Sequence, residues 1–350
     1  MVARSFGSAL LFVDRTCRLL FPPPLFMPQP KRALVTGAEG FIGTHLVAFL
    51  LERHWQVVAG HRSSDASFHV ASGLETVQCD LADLHQVKRA IRHTCPTHIF
   101  HLAAESLPAA SWQDPVLVFR ANILASLHLF EAIRELPYCP VVVAACSGSE
   151  YGAVSRTELP VDERHPLRPL NPYALSKVCL DFLSGEYARQ RKIPAVRLRL
   201  FNTTGPGKTG DAPSDFVRQL VRIRQKRQAP RIEVGNLKAR RAFLHVNDAV
   251  RAFYLAAVRG KVGEAYNICG GQAVSMRKLL SSAIRLAGVK AEIAPVKALL
   301  RPTDEPTIWG DSTKFRKATG WKPASSLEQI LSELIAYWDQ RTEKCSAASA

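Results

Sequence analysis

Tyr173 and Lys177 stand four residues apart in the stretch Asn171-Pro-Tyr-Ala-Leu-Ser-Lys177. Four residues is about one helical turn, so on a helix the phenol and the ammonium project from one face. The stretch carries the marks of a helix start. Asn171 is a good cap, and Pro172 suits the first turn, where its missing N–H is no loss. An adjacent ammonium favours phenolate, so such a tyrosine can give or take a proton well below its usual value near ~10. Taken alone, the spacing also fits a solvated surface pair. Its place in the chain raises its weight, because a glycine-rich turn lies near the start and a serine-rich strand end just before it.

That turn is Thr36-Gly37-Ala-Glu-Gly40-Phe41-Ile42-Gly43, between a short apolar strand and a segment with apolar residues at helical spacing (Phe41, Leu46, Phe49, Leu50). Glycines allow a tight turn and close backbone approach, and the helix start offers amides and a positive dipole end to a pyrophosphate. The strand and helix around it favour dinucleotide binding over a plain turn, although the spacing is G-x-x-G-x-x-G rather than G-x-G-x-x-G. The second strand ends in Gly60-His61-Arg62-Ser63-Ser64, and the first acid, Asp65, comes too late to hold a ribose 2′-hydroxyl. Arg62 with the serines suits a 2′-phosphate, so the expected cofactor is NADP (NADPH), with NAD less favoured. Asp80, after the third strand, either holds the adenine amino group or caps the next helix.

Cys146-Ser147-Gly-Ser149-Glu150-Tyr151 follows the apolar run 140–145, which reads as a strand buried on both faces. A hydroxyl at the C-terminal end of such a strand can hydrogen-bond a carbonyl oxygen beside Tyr173, and Ser147 is the better candidate; ordinary turn chemistry is the alternative. Strands alternate with helical segments, including helices at about 82–93, 115–136 and 173–191. The expected fold is α/β: a Rossmann-type doubly wound parallel sheet over 31–201, carrying the cofactor site and the Tyr/Lys pair. Residues 202–340 are expected to form mainly a smaller C-terminal α/β substrate-binding lobe, stitched into the sheet, with 341–350 as a tail. Helices at about 214–228, 246–258, 275–287 and 326–340 are expected there. Residues 1–30, with a Pro22–Pro24 run and one acid, Asp14, read as an N-terminal extension outside the fold.

The chain of 350 residues is ordinary for a globular protein, with 47% hydrophobic and 22% charged residues. Its net charge of +16 is spread out, apart from the run 218–231 and Arg240-Arg241. No zinc-finger or RNA-reading signature accompanies it, so nucleic acid is not the expected partner. A small anionic substrate would need only a few of those cations. The eight cysteines occur singly, with no Cys-x-x-Cys. Structural zinc and a disulfide framework are therefore not expected, no metal site is assigned, and a reducing, cytoplasmic setting fits. No apolar run reaches the ~18 residues of a membrane helix, so no membrane partner is expected.

With the glycine turn, Ser147 and Tyr173/Lys177 in this order, the chain resembles the extended short-chain dehydrogenases/reductases. His101-Leu102-Ala103-Ala104-Glu-Ser106, Arg199-Leu-Phe-Asn202-Thr-Thr-Gly-Pro-Gly207, Arg301-Pro-Thr-Asp-Glu305 and Gly320-Trp-Lys-Pro323 narrow the likeness to the nucleotide-sugar branch. Within it the chain is similar to the GDP-4-keto-6-deoxy-D-mannose reductases and the GDP-mannose 4,6-dehydratases. The resemblance spans roughly 31–340. It implies NADPH-dependent reduction of the C4 ketone of GDP-4-keto-6-deoxy-D-mannose to GDP-D-rhamnose. Ser147 would polarise the carbonyl, Tyr173 protonate it, and Lys177 hold the nicotinamide ribose and lower the phenol's pKa. Leu81 and Leu102–Ala104 would line the cofactor site. Ser106, Ser149, Glu150, Asn202, Arg241 and Arg301 would face the nucleotide-diphosphate sugar; paired guanidiniums suit a diphosphate.

Two departures bear on this. Dehydratases of this branch place a Glu where this chain has Ser149, which argues against water elimination, although Glu150 one residue later leaves room for compensation. Ala242 stands in Arg240-Arg241-Ala-Phe243 where the family usually has an Asp. The rivals are a GDP-mannose 4,6-dehydratase, an NAD-dependent UDP- or TDP-sugar 4-epimerase or dehydratase, and a non-catalytic nucleotide-binding protein. The resemblance also implies a homodimer through the helices 115–136 and 173–190.

Overall fold

The computed structural model describes residues 31–63, 74–108, 110–300 and 307–347, with side chains described as far as Arg341. The extension at 1–30, Ser64, and Arg301 with its motif lie outside the described residues. The described residues form one compact unit.

Six strands are laid down in chain order: β1 (Arg32–Thr36), β2 (Gln56–His61), β3 (Glu75–Gln78), β4 (His98–His101), β5 (Val141–Ser147) and β6 (Ala195–Leu200). A seventh, Ala265–Ile268, pairs with β6 from beyond residue 201. Together they make a seven-stranded sheet in the order Ala265–Ile268, β6, β5, β4, β1, β2, β3, and every pairing is parallel. The direction of winding reverses between β1 and β4. That is the switch point at which open α/β sheets bind ligands, outside the C-terminal ends of the strands. The register brings those ends level, with Thr36 opposite Gly60 and His101, and Ser147 opposite Leu200.

Both faces of the sheet are covered, which is why β1, β2 and β5 read as continuous apolar runs rather than alternating ones. Helices Phe41–Leu51 and Val246–Arg259 pack on one face, around Leu46, Leu50, Phe253 and Trp321. Helices Leu84–Thr94, Pro115–Arg134 and Pro172–Gln190 cover the other, around Ile91, Phe130, Ile133 and Leu180. A separate apolar cluster holds helices Ala212–Arg224, Met276–Ala287 and Leu327–Ala347 over the strands Arg231–Val234 and Glu292–Pro295.

Several boundaries differ from the sequence expectation for local reasons. The second helix starts at Leu84, not 82, because the Asp83 carboxylate accepts from the His85 and Gln86 amides. Helix Ala212–Arg224 starts at its cap, Asp211, which accepts from Ser214 N. Helix Thr313–Thr319, ended by Gly320 at φ 77°, was not anticipated. The long helix expected at 115–136 ends at Arg134 and contains one wide turn, Arg120–Leu124, with π hydrogen bonding. Helix Pro115–Arg134 is also long and apolar enough to cross a membrane, with mean hydropathy 1.6, although the sequence shows no uninterrupted apolar run. Of its most apolar 18-residue stretch, 44% is buried inside the protein. Its outer face shows Val116, Leu117, Leu124 and Leu127, next to Leu175 and Phe182 of the neighbouring helix.

Candidate active site

A cleft of about 1660 Å³ opens along the C-terminal edge of the sheet. Its wall includes Gly37, Gly40, Phe41, Ile42, Gly43, Arg62, Asp80, Leu81 and Leu102–Ala104, then Ser106, Ser147, Ser149, Tyr173, Lys177, Asn202 and Arg241. Residues far apart in sequence therefore share one cavity, because the parallel register puts every strand's end on the same edge.

The glycine-rich turn is built for close approach. Gly37 has φ +66°, and a Cβ there would lie 2.8 Å from the Ala103 backbone. A Cβ on Gly43 would lie 2.2 Å from Gly37 O, so only glycine lets the helix start pack against the turn. Helix Phe41–Leu51 follows Gly40 with no side-chain cap, which leaves its first amides turned toward the cleft edge for an anion. These residues fit a dinucleotide. Arg62 projects from the end of β2 with most of its side chain exposed, and its guanidinium lies 3.6 Å from Glu105 Oε1. Asp80 accepts from Ala82 N at 2.9 Å in a local turn, and the helix cap is Asp83 instead. Asp80 remains on the cleft wall.

In the other half, β5 delivers Ser147 to its tip. Ser147 Oγ accepts from Ser149 N at 3.2 Å and lies 2.7 Å from Ser149 Oγ, so the turn presents a pair of hydroxyls. Tyr173 sits in the first turn of helix Pro172–Gln190, which Asn171 caps by accepting from Ala174 N at 2.8 Å. Ser147 is the side-chain hydrogen-bonding neighbour of its phenol. Burial pushes Tyr173 up to about 12, against the pull of the Ser147 hydroxyl. The expected depression by Lys177 is not found. The Lys177 ammonium donates to Ala145 O at 2.8 Å and lies 5.9 Å from the Tyr173 ring centre. Burial also lowers its own pKa. Spacing on a helix fixed the shared face, but the low dielectric decides the protonation, and Tyr173 is held as a neutral acid.

Glu150 corrects another expectation. It is fully buried and not part of the cleft wall. Its Oε1 accepts from Ser147 N at 2.6 Å, and its Oε2 faces Arg199 Nε at 3.5 Å, too far for a hydrogen bond. Asn202 reaches Ala242 O at 3.3 Å while exposed to the cleft, and Arg241 lies in the short strand Arg240–Arg241 at the same rim.

Three supports escaped the sequence reading. Arg199 Nε donates to Asp181 Oδ2 at 2.9 Å, and Arg197 Nη1 to Asp181 Oδ1 at 2.7 Å, locking helix Pro172–Gln190 onto β6. Two arginines in the otherwise apolar strand AVRLRL were the available signal, since buried cations need a counter-ion. Cys146, Glu150 and Asp181 could by geometry gather around a cation, and the Arg199 guanidinium already stands beside both acids. Asn122, in the wide turn, bonds Glu105 N, Glu105 O and Ser176 Oγ, tying the loop after β4 to the Tyr173 helix. His101 bridges Thr36 and Ser126 at 2.9 Å on each side, and burial pushes it down to about 3, so it is a neutral strut.

Comparison with known proteins follows the same lines. Residues 34–334 match the family model described as GDP-mannose 4,6 dehydratase. The GDP-6-deoxy-D-mannose reductase of Pseudomonas aeruginosa is 29% identical over 318 residues, covering 90% of this chain and 99% of that protein. Among solved structures, RMD from Pseudomonas aeruginosa complexed with NADPH superposes with a TM-score of 0.78 at 28% identity, over 89% of this chain and 99% of that one. The UDP-glucose 4-epimerase of Thermus thermophilus in complex with NAD gives 0.79 at 28% identity, over 88% and 98%. The family-model match over nearly the whole described chain, with relatives matched along almost their full length, makes the conclusion direct: the chain belongs to the GDP-mannose 4,6 dehydratase family of extended short-chain dehydrogenases/reductases, enzymes of the NAD(P)-dependent oxidoreductase type.

Proposed function

We propose that the chain reduces the C4 ketone of GDP-4-keto-6-deoxy-D-mannose to GDP-D-rhamnose, using NADPH. The observation that carries this is the turn at the tip of β5. It offers the Ser147 and Ser149 hydroxyls to the cleft, while its only carboxylate, Glu150, is turned inward. Water elimination needs a further acid/base beside the sugar; ketone reduction needs only a hydride source and a proton donor. NADPH, when bound, supplies the hydride. Ser147 Oγ donates a hydrogen bond to the ketone oxygen, and Tyr173 OH gives that oxygen its proton. Lys177, anchored on Ala145 O, holds the nicotinamide ribose. Arg62 takes the 2′-phosphate, and Asp80 and Leu102–Ala104 line the adenine and nicotinamide ends. Asn202, Arg241 and Arg301 bind the nucleotide diphosphate.

The test is NADPH oxidation with GDP-4-keto-6-deoxy-D-mannose generated in place by a dehydratase. The expected result is stoichiometric GDP-rhamnose, with NADH a markedly poorer donor. Consumption of GDP-mannose without reduction, or interconversion of a UDP-sugar, would overturn the reading.

We also propose a cytoplasmic homodimer. Val116, Leu117, Leu124, Leu127, Leu175 and Phe182 form an exposed apolar face on the packed helices Pro115–Arg134 and Pro172–Gln190. Such a face is costly in water and suits a second copy. Sedimentation equilibrium is expected to give twice the chain mass of 38.6 kDa, and a monomer at micromolar concentration would count against this face as an interface.

A further inference from the structure

We propose that Glu150 is a positioning residue of the reduction: its buried carboxylate, bound to Ser147 N on one side and facing Arg199 on the other, fixes the turn that presents Ser147 to the substrate. The inference rests on the functional reading above. In a tight 3₁₀ turn, residues three apart eclipse, so Glu150 falls back beneath Ser147 while Ser149 points outward. The carboxylate closes a capping box, with Ser147 Oγ taking an amide from the turn and Glu150 Oε1 taking the Ser147 amide at 2.6 Å. The turn is clamped at its other end too. Arg168 N donates to Glu150 O at 2.9 Å, and Tyr151 OH donates to Asn267 Oδ1 at 2.7 Å. Strand pairing holds the Ser147 backbone on one side, and Glu150 is the side chain that ties its amide to the turn.

The carboxylate is also a charge lodged behind the reacting groups. The groups facing it are Asp181, Lys177 and Tyr173 on helix Pro172–Gln190, Arg199 on β6, and Cys146 on β5. Arg199 is committed first to Asp181, at 2.9 Å, and gives Glu150 only a 3.5 Å ion-pair contact. Glu150 Oε2 is left with no hydrogen bond. Burial, then the repulsion of Asp181, raises the carboxyl to about 8. Below that value the acid is neutral; above it an anion stands behind Tyr173 and makes the phenol a weaker donor. Reduction is therefore expected to slow as pH rises through about 8.

Glu150→Gln keeps the acceptor for Ser147 N and removes the titration; Glu150→Ala removes both. Glu150→Gln is expected to keep kcat within about threefold of the unaltered chain at neutral pH and to lose the alkaline fall, which should be about 3–10-fold in the unaltered chain. Glu150→Ala should lower kcat about 10–100-fold with KM for NADPH unchanged, since the glycine turn and Arg62 are untouched. A fall near pH 8 that persists in Glu150→Gln, or a Glu150→Ala enzyme with normal kcat, would overturn the proposal. If Glu150→Ala does not fold, the pH profile of the isosteric Gln variant decides. Turnover of a different nucleotide sugar by the unaltered chain would sink the functional reading alone, and the variants would be compared on that substrate. A chain that turns over none would sink both.

Discussion

Tyr173→Phe is expected to lower kcat for ketone reduction by about 10²–10⁴-fold, the range for removal of a positioned general acid. The dissociation constant for NADPH should stay within about threefold. Among the described residues, the phenol is the only group in the site whose chemistry and place both suit the proton step. It lies on the cleft wall, its hydroxyl neighbours Ser147, and burial holds it protonated, its pKa pushed up to about 12. Lys177, anchored on Ala145 O, serves the nicotinamide ribose in this mechanism rather than the ketone oxygen. Ser147 and Ser149 are aliphatic alcohols, far weaker acids than a phenol; they orient a carbonyl rather than protonate it. Phe keeps the ring and its packing, so folding is not at stake. The measurement is single-turnover NADPH oxidation beside a fluorescence titration of cofactor binding. A Tyr173→Phe enzyme that keeps more than about a tenth of its rate would show that the proton comes from elsewhere.

What the sequence makes legible in this site is what short-range rules govern. The Asn171-Pro172 start sets the helix that carries Tyr173 and Lys177, and the glycines at 37, 40 and 43 mark the turn after β1. Their meeting in one cleft follows from the strand and helix alternation, because a parallel sheet sends every such turn to one edge. What the sequence hides depends on rotation and burial. Glu150 is adjacent to Ser149, yet a 3₁₀ turn separates adjacent residues by about 120° and sends one to the cleft and the other to the interior. The Tyr173–Lys177 spacing says nothing of the dielectric around it, and that outweighs the ammonium. Asp80 and Asp83 are both plausible caps by type, and backbone geometry chooses Asp83. The wide turn at Asn122 has no signature in composition at all.

The longest-range of these hidden features carries the largest stability effect. Arg199→Met is expected to destabilise the fold by about 3–5 kcal/mol, as breaking a buried ion pair from one side does. Asp181 is fully buried and would keep only Arg197, at 2.7 Å, while Glu150 would lose its facing guanidinium altogether. Met replaces much of the aliphatic volume but none of the five donors, so at neutral pH the cost falls on the stranded Asp181 carboxylate rather than on a cavity. The direction of its pH dependence follows from Glu150. Its folded value, about 8, lies above the usual 4.5, so the stability it contributes is complete below about 4.5 and is lost as pH climbs to about 8. Arg199 pulls that folded value down. Without it the value rises further, and the variant goes on losing stability above pH 8 where the unaltered chain has stopped, at up to about 1.4 kcal/mol per pH unit. Urea unfolding should therefore show a deficit that widens between about pH 7 and about pH 9. A deficit of the same size at both would mean that Arg199 serves Asp181 and Tyr151 alone, and that the charge behind Ser147 is not the one it balances.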